Sequence, residues 1–255
     1  MESLERGGVV RNLLAKANMP PENVCQVLKE SADGKMVMRM LNTLRTRAFL
    51  CLNNLVASLG IDDLGGADRL FHTWTELGKL CLESPPETDA ELKESASAAM
   101  RAIVHKLAES GGERPFAAVT KDDLAKILEF GAASGDATVR TNVVDMAGSI
   151  GVMTVSLSES EAAEAVAHFL LEAAARDASL RVVGEALDKI FDMFAEDSTD
   201  ALCKKVGVVR KLKQMRTGFK IKMQKQGKGE DISMMKQTKV NLARFIKYKA
   251  QRGID

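Results

Sequence analysis

The sequence predicts an all-α protein, an α-solenoid of about five helix pairs, and three observations support this class. Apolar residues make up 45% of the 255 residues and aromatic residues only 4%, a balance that favours helices over strands. A one-sided apolar pattern of helical spacing recurs every 41–48 residues, which is the period of HEAT or armadillo repeats. No stretch alternates between apolar and polar residues convincingly enough to predict a strand.

Four segments repeat this pattern and are predicted to be the second helices of successive pairs. In each, an apolar residue precedes a basic anchor, and apolar residues recur at i, i+3 or i+4, and i+7. Val139, Val143 and Met146 illustrate these offsets in the third segment. The segments are 44–55, 92–103, 139–150 and 180–191, with the anchors Arg45, Lys93, Arg140 and Arg181 spaced 48, 47 and 41 residues apart.

A second helical pattern precedes each of these segments and is predicted to be the first helix of the pair. Thr120 is a predicted cap, with Asp123 three residues later. Ser158 and Glu161 form the same arrangement. Stretches rich in Gly, Pro, Ser and Asp separate the helices. The predicted first helices are 20–30, 67–82, 120–133 and 158–176.

An acidic residue four positions before the basic anchor occurs in two of the repeats. Asp136 precedes Arg140, and Asp177 precedes Arg181. In HEAT repeats such an acid and arginine commonly bridge neighbouring repeats, and we interpret both pairs in this way.

The residues that could carry catalysis or bind a cofactor are not arranged for either role. The three histidines are isolated within helical patterns, and no GxSxG, HExxH or GxxxxGK[ST] motif occurs. The four cysteines form no CxxC pair and are predicted to be buried thiols in a reducing compartment. We therefore expect no enzyme activity, no metal and no cofactor. The histidines are His72, His105 and His168, and the cysteines are Cys25, Cys51, Cys81 and Cys203.

No targeting or membrane segment is found in the sequence. The start MESLERGG lacks a basic region followed by an apolar stretch. No apolar run approaches the ~18 residues that a membrane-spanning helix needs. We expect a protein of the cytoplasm and nucleus that has no membrane partner.

Charge is divided unequally along the chain. Residues 1–203 carry 20 Lys and Arg against 32 Asp and Glu, a net charge of −12, whereas residues 204–255 carry 16 against 3, a net charge of +13. The basic end keeps apolar residues at helical spacing, so it is predicted to be a last helix pair. The predicted domains are 1–198, acidic HEAT-like repeats that continue a solenoid upstream, and 199–255, a basic capping helix pair of the same solenoid.

The basic end is predicted to hold two helices joined by a turn. One helical pattern runs over 201–225, the turn is QGKGED, and a final helix follows. In its segment KVNLARFIKYK, residues 239–249, we expect the lysines and Arg244 to lie on the outside. The apolar residues assigned to this final helix are Val240, Leu242, Phe245, Ile246 and Tyr248.

The segments LKQMRTGFKIKMQKQGKGE and TKVNLARFIKYK resemble the C-terminal end of the symportins, which are HEAT/armadillo-repeat adaptors. RTRAFLCLNNLVASL and EALDKIFDMFAED also resemble the repeats of this family. The resemblance implies a transport adaptor and chaperone without a catalytic step. Such proteins bind the two ribosomal proteins that accompany 5S ribosomal RNA, deliver them to the nucleus with a transportin-type import receptor, and support assembly of the large ribosomal subunit.

The sequence departs from the symportin pattern near its start. The armadillo part, with an import signal of basic residues followed by Pro-Tyr, is not found, and the single tyrosine is Tyr248. The acidic loop insertion of the family is not recognisable either. Receptor binding is therefore expected to need a part that precedes this chain.

Two polar stripes on the predicted second helices are candidates for contact with cargo, since these helices line the concave surface of HEAT stacks. On the fourth second helix the polar residues fall at i, i+4, i+7 and i+11. A solvated helix face would show the same pattern, so that alternative stays open. The candidates are Asn142, Asp145 and Ser149 on the third helix and Arg181, Glu185, Asp188 and Asp192 on the fourth.

Two other functions remain open from the residues alone. One is a generic HEAT-repeat scaffold for another protein complex. The other is RNA binding through the basic C-terminal helices, which requires cations along the phosphates and gains from exposed stacking aromatics. Because Phe219 and Phe245 are assigned to the core, direct RNA contact is not expected.

Overall fold

All regular secondary structure in the described part of the chain is helical. In the computed structural model these residues form nine α-helices and one short 3-10 helix, without a β-strand among them, which confirms the predicted all-α class. Two predicted first helices, 20–30 and most of 120–133, and the caps Thr120 and Ser158 lie outside the described residues. The structure describes residues 32–83, 90–109, 133–155, 161–225 and 230–254, with Phe116, Leu124 and Leu128.

The chain divides into two compact units, residues 1–115 and 116–255. In the first unit, α1 and α2 both pack against α3. These helices contain the predicted segments 44–55, 67–82 and 92–103, which are thereby confirmed as helical. The helices are α1 (Ala32–Ser58), α2 (Ala67–Glu83) and α3 (Ala90–Glu109), and their largest buried side chains include Phe49, Leu52, Trp74, Leu77 and Ile103.

The second unit stacks its helices in two layers. In one layer α6 lies between α4 and α9 and packs against both, and in the other α5 packs against α7 and α8. The two layers contact each other as well: α5 packs against α4 and α6, and α8 packs against α9. The helices are α4 (Ala137–Val155), α5 (Glu161–Arg176), α6 (Leu180–Met193), α7 (Asp200–Val206), α8 (Val208–Lys225) and α9 (Glu230–Gln251), and a 3-10 turn (Asp197–Thr199) precedes α7.

The basic pattern predicted as one helix over 201–225 is in fact two helices, α7 and α8. Gly207 separates them in a left-handed conformation with φ of 69°, and its N–H donates to the carbonyls of Cys203 and Lys204. A residue with a side chain adopts this conformation at a cost that glycine avoids, so glycine is the usual residue after a helix end. The predicted boundary at 198/199 falls just before α7, inside the second unit.

Helix α4 is buried on nearly all sides, and two glycines allow its neighbours to approach closely. A Cβ at Gly148 would lie 2.4 Å from Cγ of Lys189 on α6, and one at Gly151 would lie 2.8 Å from Sδ of Met193 and from Cγ1 of Val166. Because there is no room for these atoms, the glycines set the spacing between α4 and the helices beside it.

A bridge between neighbouring repeats is present at Arg140, but its acidic partner is Asp177 and not the predicted Asp136. Nε of Arg140 donates to Oδ2 of Asp177 at 2.8 Å and its Nη2 to Oδ1 at 3.1 Å, a bidentate pair between α4 and the turn before α6. The same guanidinium donates to the carbonyls of Ser134 and Gly135. Asp136 has a different role from the predicted one, because its Oδ1 accepts the N–H of Thr138 at the start of α4.

The next repeat contributes a cation to the same turn. Nζ of Lys222 on α8 donates to the carbonyl of Ala175 at 3.0 Å and to that of Asp177 at 2.8 Å. Carbonyls at the end of a helix have no partner within the helix, and a cation there also interacts favourably with the helix dipole. Arg140 and Lys222 thus connect three successive helix pairs through the turn between α5 and α6.

The Arg140–Asp177 pair should show a coupling free energy of about 1–3 kcal/mol in a double-mutant cycle with alanine, because both side chains are largely buried. The matched control is Arg176–Glu172, whose atoms are as close, at 2.7 Å, but whose side chains are 80% and 62% exposed. Its coupling should stay below about 0.5 kcal/mol. Chemical denaturation measures both cycles, and equal coupling in the two pairs would contradict the bridge.

Val183→Asp should destabilise the second unit by more than about 3 kcal/mol, because Val183 is fully buried and an aspartate there would have no partner. Thermal unfolding followed by circular dichroism checks this. Arg181→Asp, two residues earlier at an exposed site of the same helix, is the control and should change the melting temperature little. A Val183→Asp protein that melts like the parent would show that this face is not core.

Candidate functional site

Helix α6 presents one polar face that the fold leaves open. Arg181 and Asp192 are exposed, and Glu185 and Asp188 between them are half-buried. The opposite face is buried among α4, α5 and α9, as described above. The four residues predicted as a stripe on this helix therefore lie on one accessible surface, which we call the α6 stripe. Three of the four are acidic.

Both edges of the α6 stripe are closed by contacts with the neighbouring helices. On the α4 side, Nζ of Lys189 lies 2.6 Å from Oδ1 of Asp145 and 3.9 Å from Oε1 of Glu185. On the α9 side, the rings of Phe191 and Phe245 pack with centroids 5.1 Å apart. A partner at this surface would therefore contact the stripe without having to separate the helices.

The electrostatics of the α6 stripe favour a cationic partner. Burial raises the pKa of the Asp188 carboxyl, and the nearby Asp192 raises it further, while Lys189 acts in the opposite direction. A raised carboxyl pKa means that the negative charge is held at a cost. A cation placed over the stripe would relieve this cost, and an anion would increase it.

The three polar residues predicted on α4 are less accessible than the α6 stripe. Asn142 and Asp145 are buried, and Ser149 is half-buried. Asp145 lies beneath Lys189, whose ammonium neutralises it. The sequence pattern alone does not reveal that Lys189 covers Asp145, since the two residues are on different helices. Contact of these residues, or of the α6 stripe, with a cargo stays a prediction.

The C-terminal segment differs from its predicted orientation at Lys249. Lys239, Arg244 and Lys247 are exposed as expected, but the side chain of Lys249 is fully buried. Its Nζ lies 2.6 Å from Oδ1 of Asp200 at the start of α7. The prediction that all the lysines of this segment lie outside is therefore wrong for Lys249, because an acid 49 residues earlier compensates its charge.

Other side chains extend this ion pair into a cluster. Nε of Arg252 donates to Oδ2 of Asp200 at 2.7 Å, and Nη1 of Arg252 lies 2.8 Å from Asp197. The hydroxyl of Tyr248 donates to Oδ1 of Asp197 at 2.7 Å. We call these five residues the C-terminal clasp. It joins the end of α9 to the start of α7 and to the 3-10 turn that precedes α7.

The clasp perturbs the Asp200 carboxyl in two opposing directions. Burial acts to raise its pKa, but hydrogen bonds from Lys249 and Arg252 outweigh burial and hold the pKa below the ordinary value. The ammonium of Lys249 also lies 5.5 Å from the ring centroid of Tyr248, within the range of a cation–π contact. Tyr248 is thus engaged by the fold although it is 43% exposed.

Potential metal ligands are dispersed in the described part of the chain. No group of three or more His, Cys, Asp and Glu side chains there could hold a metal ion. Cys203 is buried as predicted, and burial raises the pKa of its thiol to about 11. Cys51 is exposed, so its predicted burial is wrong. Among the helices described, none is long and apolar enough to cross a membrane.

The chain has known relatives. The family whose sequence model matches it is described as "SYO1-like, TPR repeats", and the match covers residues 1–253. HEAT repeat-containing protein 3 of Mus musculus and that of Homo sapiens are each 30% identical to the chain over 247 residues. These alignments cover 94% of the chain and 36% of each relative, so the chain spans about a third of the length of the curated relatives it matches.

Asp200→Asn should destabilise the protein more than Lys249→Met. The first change leaves a buried ammonium without its counter-charge, at a cost of about 3 kcal/mol or more, whereas the second removes that charge and leaves Asp200 paired with Arg252. Lys247→Met, at an exposed position of the same helix, is the control and should have little effect. Denaturant unfolding gives the order, and the reverse order would contradict a buried ion pair.

The clasp should also contribute to the acid sensitivity of the protein. Because the pKa of Asp200 is lower in the folded chain than in the unfolded one, its contribution is complete above about pH 4 and is lost as the pH falls through the folded value. The unfolding free energy of Asp200→Asn should therefore depend less steeply on pH below about 4 than that of the parent. Identical slopes would show that Asp200 does not titrate with folding.

Proposed function

Because the chain belongs to the SYO1-like family of helical repeat proteins, which confirms the resemblance to symportins, we propose that it is an adaptor for basic ribosomal proteins. The family and the HEAT-repeat relatives make it a scaffold for protein interactions. The cargo we propose is the pair of ribosomal proteins that accompany 5S ribosomal RNA. The adaptor would shield these proteins stoichiometrically during nuclear import and large-subunit assembly, without a catalytic step.

The observation that supports a basic cargo most directly is the α6 stripe. It places Glu185, Asp188 and Asp192 on an open helix face with closed edges. The raised pKa of Asp188 indicates that this face holds its negative charge at a cost, which a cationic side chain of a partner would offset.

The net charge of −12 over residues 1–203 also favours a basic cargo, and it does so at longer range. An acidic surface attracts a basic protein before contact, which raises the association rate at low salt and disfavours acidic partners. A basic ribosomal protein that has not yet met its RNA carries many unpaired cations. Covering these cations with acidic groups would prevent contact with other polyanions.

We also propose that the adaptor moves between cytoplasm and nucleus and that a transportin-type import receptor binds a part outside this chain. The curated relatives are about three times as long as the aligned region, so their remaining length has room for such a site. The sequence in hand contains no Pro-Tyr signal of the kind such receptors bind in symportins.

The test is a binding titration of the full 255-residue chain with each of the two purified 5S-associated ribosomal proteins, free of RNA. We expect binding that weakens as salt increases, and at least a 10-fold loss of affinity in Glu185→Lys/Asp192→Lys, because charge reversal places cations against cationic cargo. Isothermal titration calorimetry at two salt concentrations measures both effects.

The matched control is Glu161→Lys/Glu172→Lys, which makes the same change in net charge at exposed positions of α5, in the other layer. This variant should retain most of the affinity. Equal losses in the two variants would show that only the overall charge matters. Failure of the parent to bind either ribosomal protein would overturn the proposed cargo and leave a scaffold for another complex.

A further inference from the structure

Most of the described cations of α7, α8 and α9 fall into two classes. One class is engaged by the fold: Lys205 pairs with Glu164 at 2.6 Å, Lys222 donates to carbonyls, and Lys249 and Arg252 belong to the C-terminal clasp. The second class is exposed and, among the described residues, makes no ion pair. Its members are Lys204, Arg210, Arg216 and Lys220 on α7 and α8, and Lys236, Lys239, Arg244 and Lys247 on α9.

Most of this second class lies on helices that are almost free of acids. Helix α8 contains no Asp or Glu, and the only acids of α9 are its first two residues, Glu230 and Asp231. Like charges one helical turn apart repel each other, as at Lys236 and Lys239 or at Arg244 and Lys247. By contrast, exposed Arg176 on α5 is paired with Glu172 on the same helix.

We propose that the exposed cations of α9 (Lys236, Lys239, Arg244 and Lys247) form a surface that binds the phosphate backbone of RNA without reading its sequence. Lys236 and Lys247 are separated by 11 residues of helix, which corresponds to about 16 Å. A nucleic-acid duplex presents one negative charge per ~1.7 Å of its axis, so several phosphates face that length. The choice of RNA over another polyanion rests on the proposed function, because ribosomal proteins are RNA-binding cargo.

The composition of the surface argues for backbone contact and against base recognition. Phe219 and Phe245 are buried, and Tyr248 is held by Asp197, so no aromatic side chain described on α8 or α9 is free to stack on a base. The surface also lacks the cluster of apolar anchors that an acidic peptide would use. Only Ile221 and Val240 are large, apolar and exposed among the described side chains of these helices.

The test is a fluorescence-anisotropy titration of the full chain with two 20-base-pair RNA duplexes of unrelated sequence, in the absence of any ribosomal protein. We expect equal affinities for the two duplexes and a steep fall with salt, because each neutralised phosphate releases counterions. Arg244→Gln/Lys247→Gln should lose roughly 10- to 100-fold in affinity at 0.1 M salt for both duplexes and reduce the salt slope by about 2.

The matched control is Arg39→Gln/Arg47→Gln, which removes two exposed cations from α1 in the first unit. It should leave the affinity and the salt slope unchanged. Lys236→Gln/Lys239→Gln is a second test pair on the same helix and should reproduce the loss if the first pair fails to fold. Thermal unfolding verifies the fold of each variant.

Three results would overturn the proposal. They are no RNA binding at low salt, equal losses in the test and control variants, and tighter binding of a 20-residue oligoglutamate peptide than of the duplex, which would indicate an acidic protein partner. Because the RNA titration contains no ribosomal protein and the cargo titration contains no RNA, failure of one proposal is distinguishable from failure of the other.

Discussion

The second unit depends on one constraint: a helix pair exposes an apolar face that only the next pair can cover. Helix α6 shows this directly, because Val183, Leu187 and Ile190 are completely buried among α4, α5 and α9. What remains open on such a helix is a single stripe. The residues that stacking leaves exposed on such a helix are therefore the ones that a partner can contact.

Polar contacts fix the stack at its turns, where the backbone has unpaired groups. Arg140 reaches the turn before its own helix and the turn of the next pair, and Lys222 reaches that same turn from the pair beyond. The C-terminal clasp closes the last pair in a similar way through Lys249 and Asp200. These cations stabilise the fold, so the overall positive charge of the C-terminal region overstates the charge that is available to a partner.

Much of the fold could be predicted from the pattern of apolar residues. The segments 139–150 and 180–191 are helical as predicted. A bridge between neighbouring repeats was expected as well, but Arg140 pairs with Asp177 and not with the predicted Asp136. The helix end at Gly207 was not predicted, because a glycine followed by two valines within a basic run is compatible with either a continuous helix or a helix end. Burial of Cys51 was predicted from its apolar neighbours, but its side chain lies on the outer side of α1.

The sequence by itself determined the all-α class, the repeat period, the family and the sign of charge in each region, because these properties depend on composition and on spacing within one helix. The tertiary structure decided which polar residues are accessible. Asp145 and Lys249 both belong to polar patterns, yet one is covered by Lys189 and the other pairs with Asp200. Lys189 and Asp200 lie on other elements, 44 residues from Asp145 and 49 residues from Lys249. Burial of a charge depends on contacts across such separations, which helical periodicity does not encode.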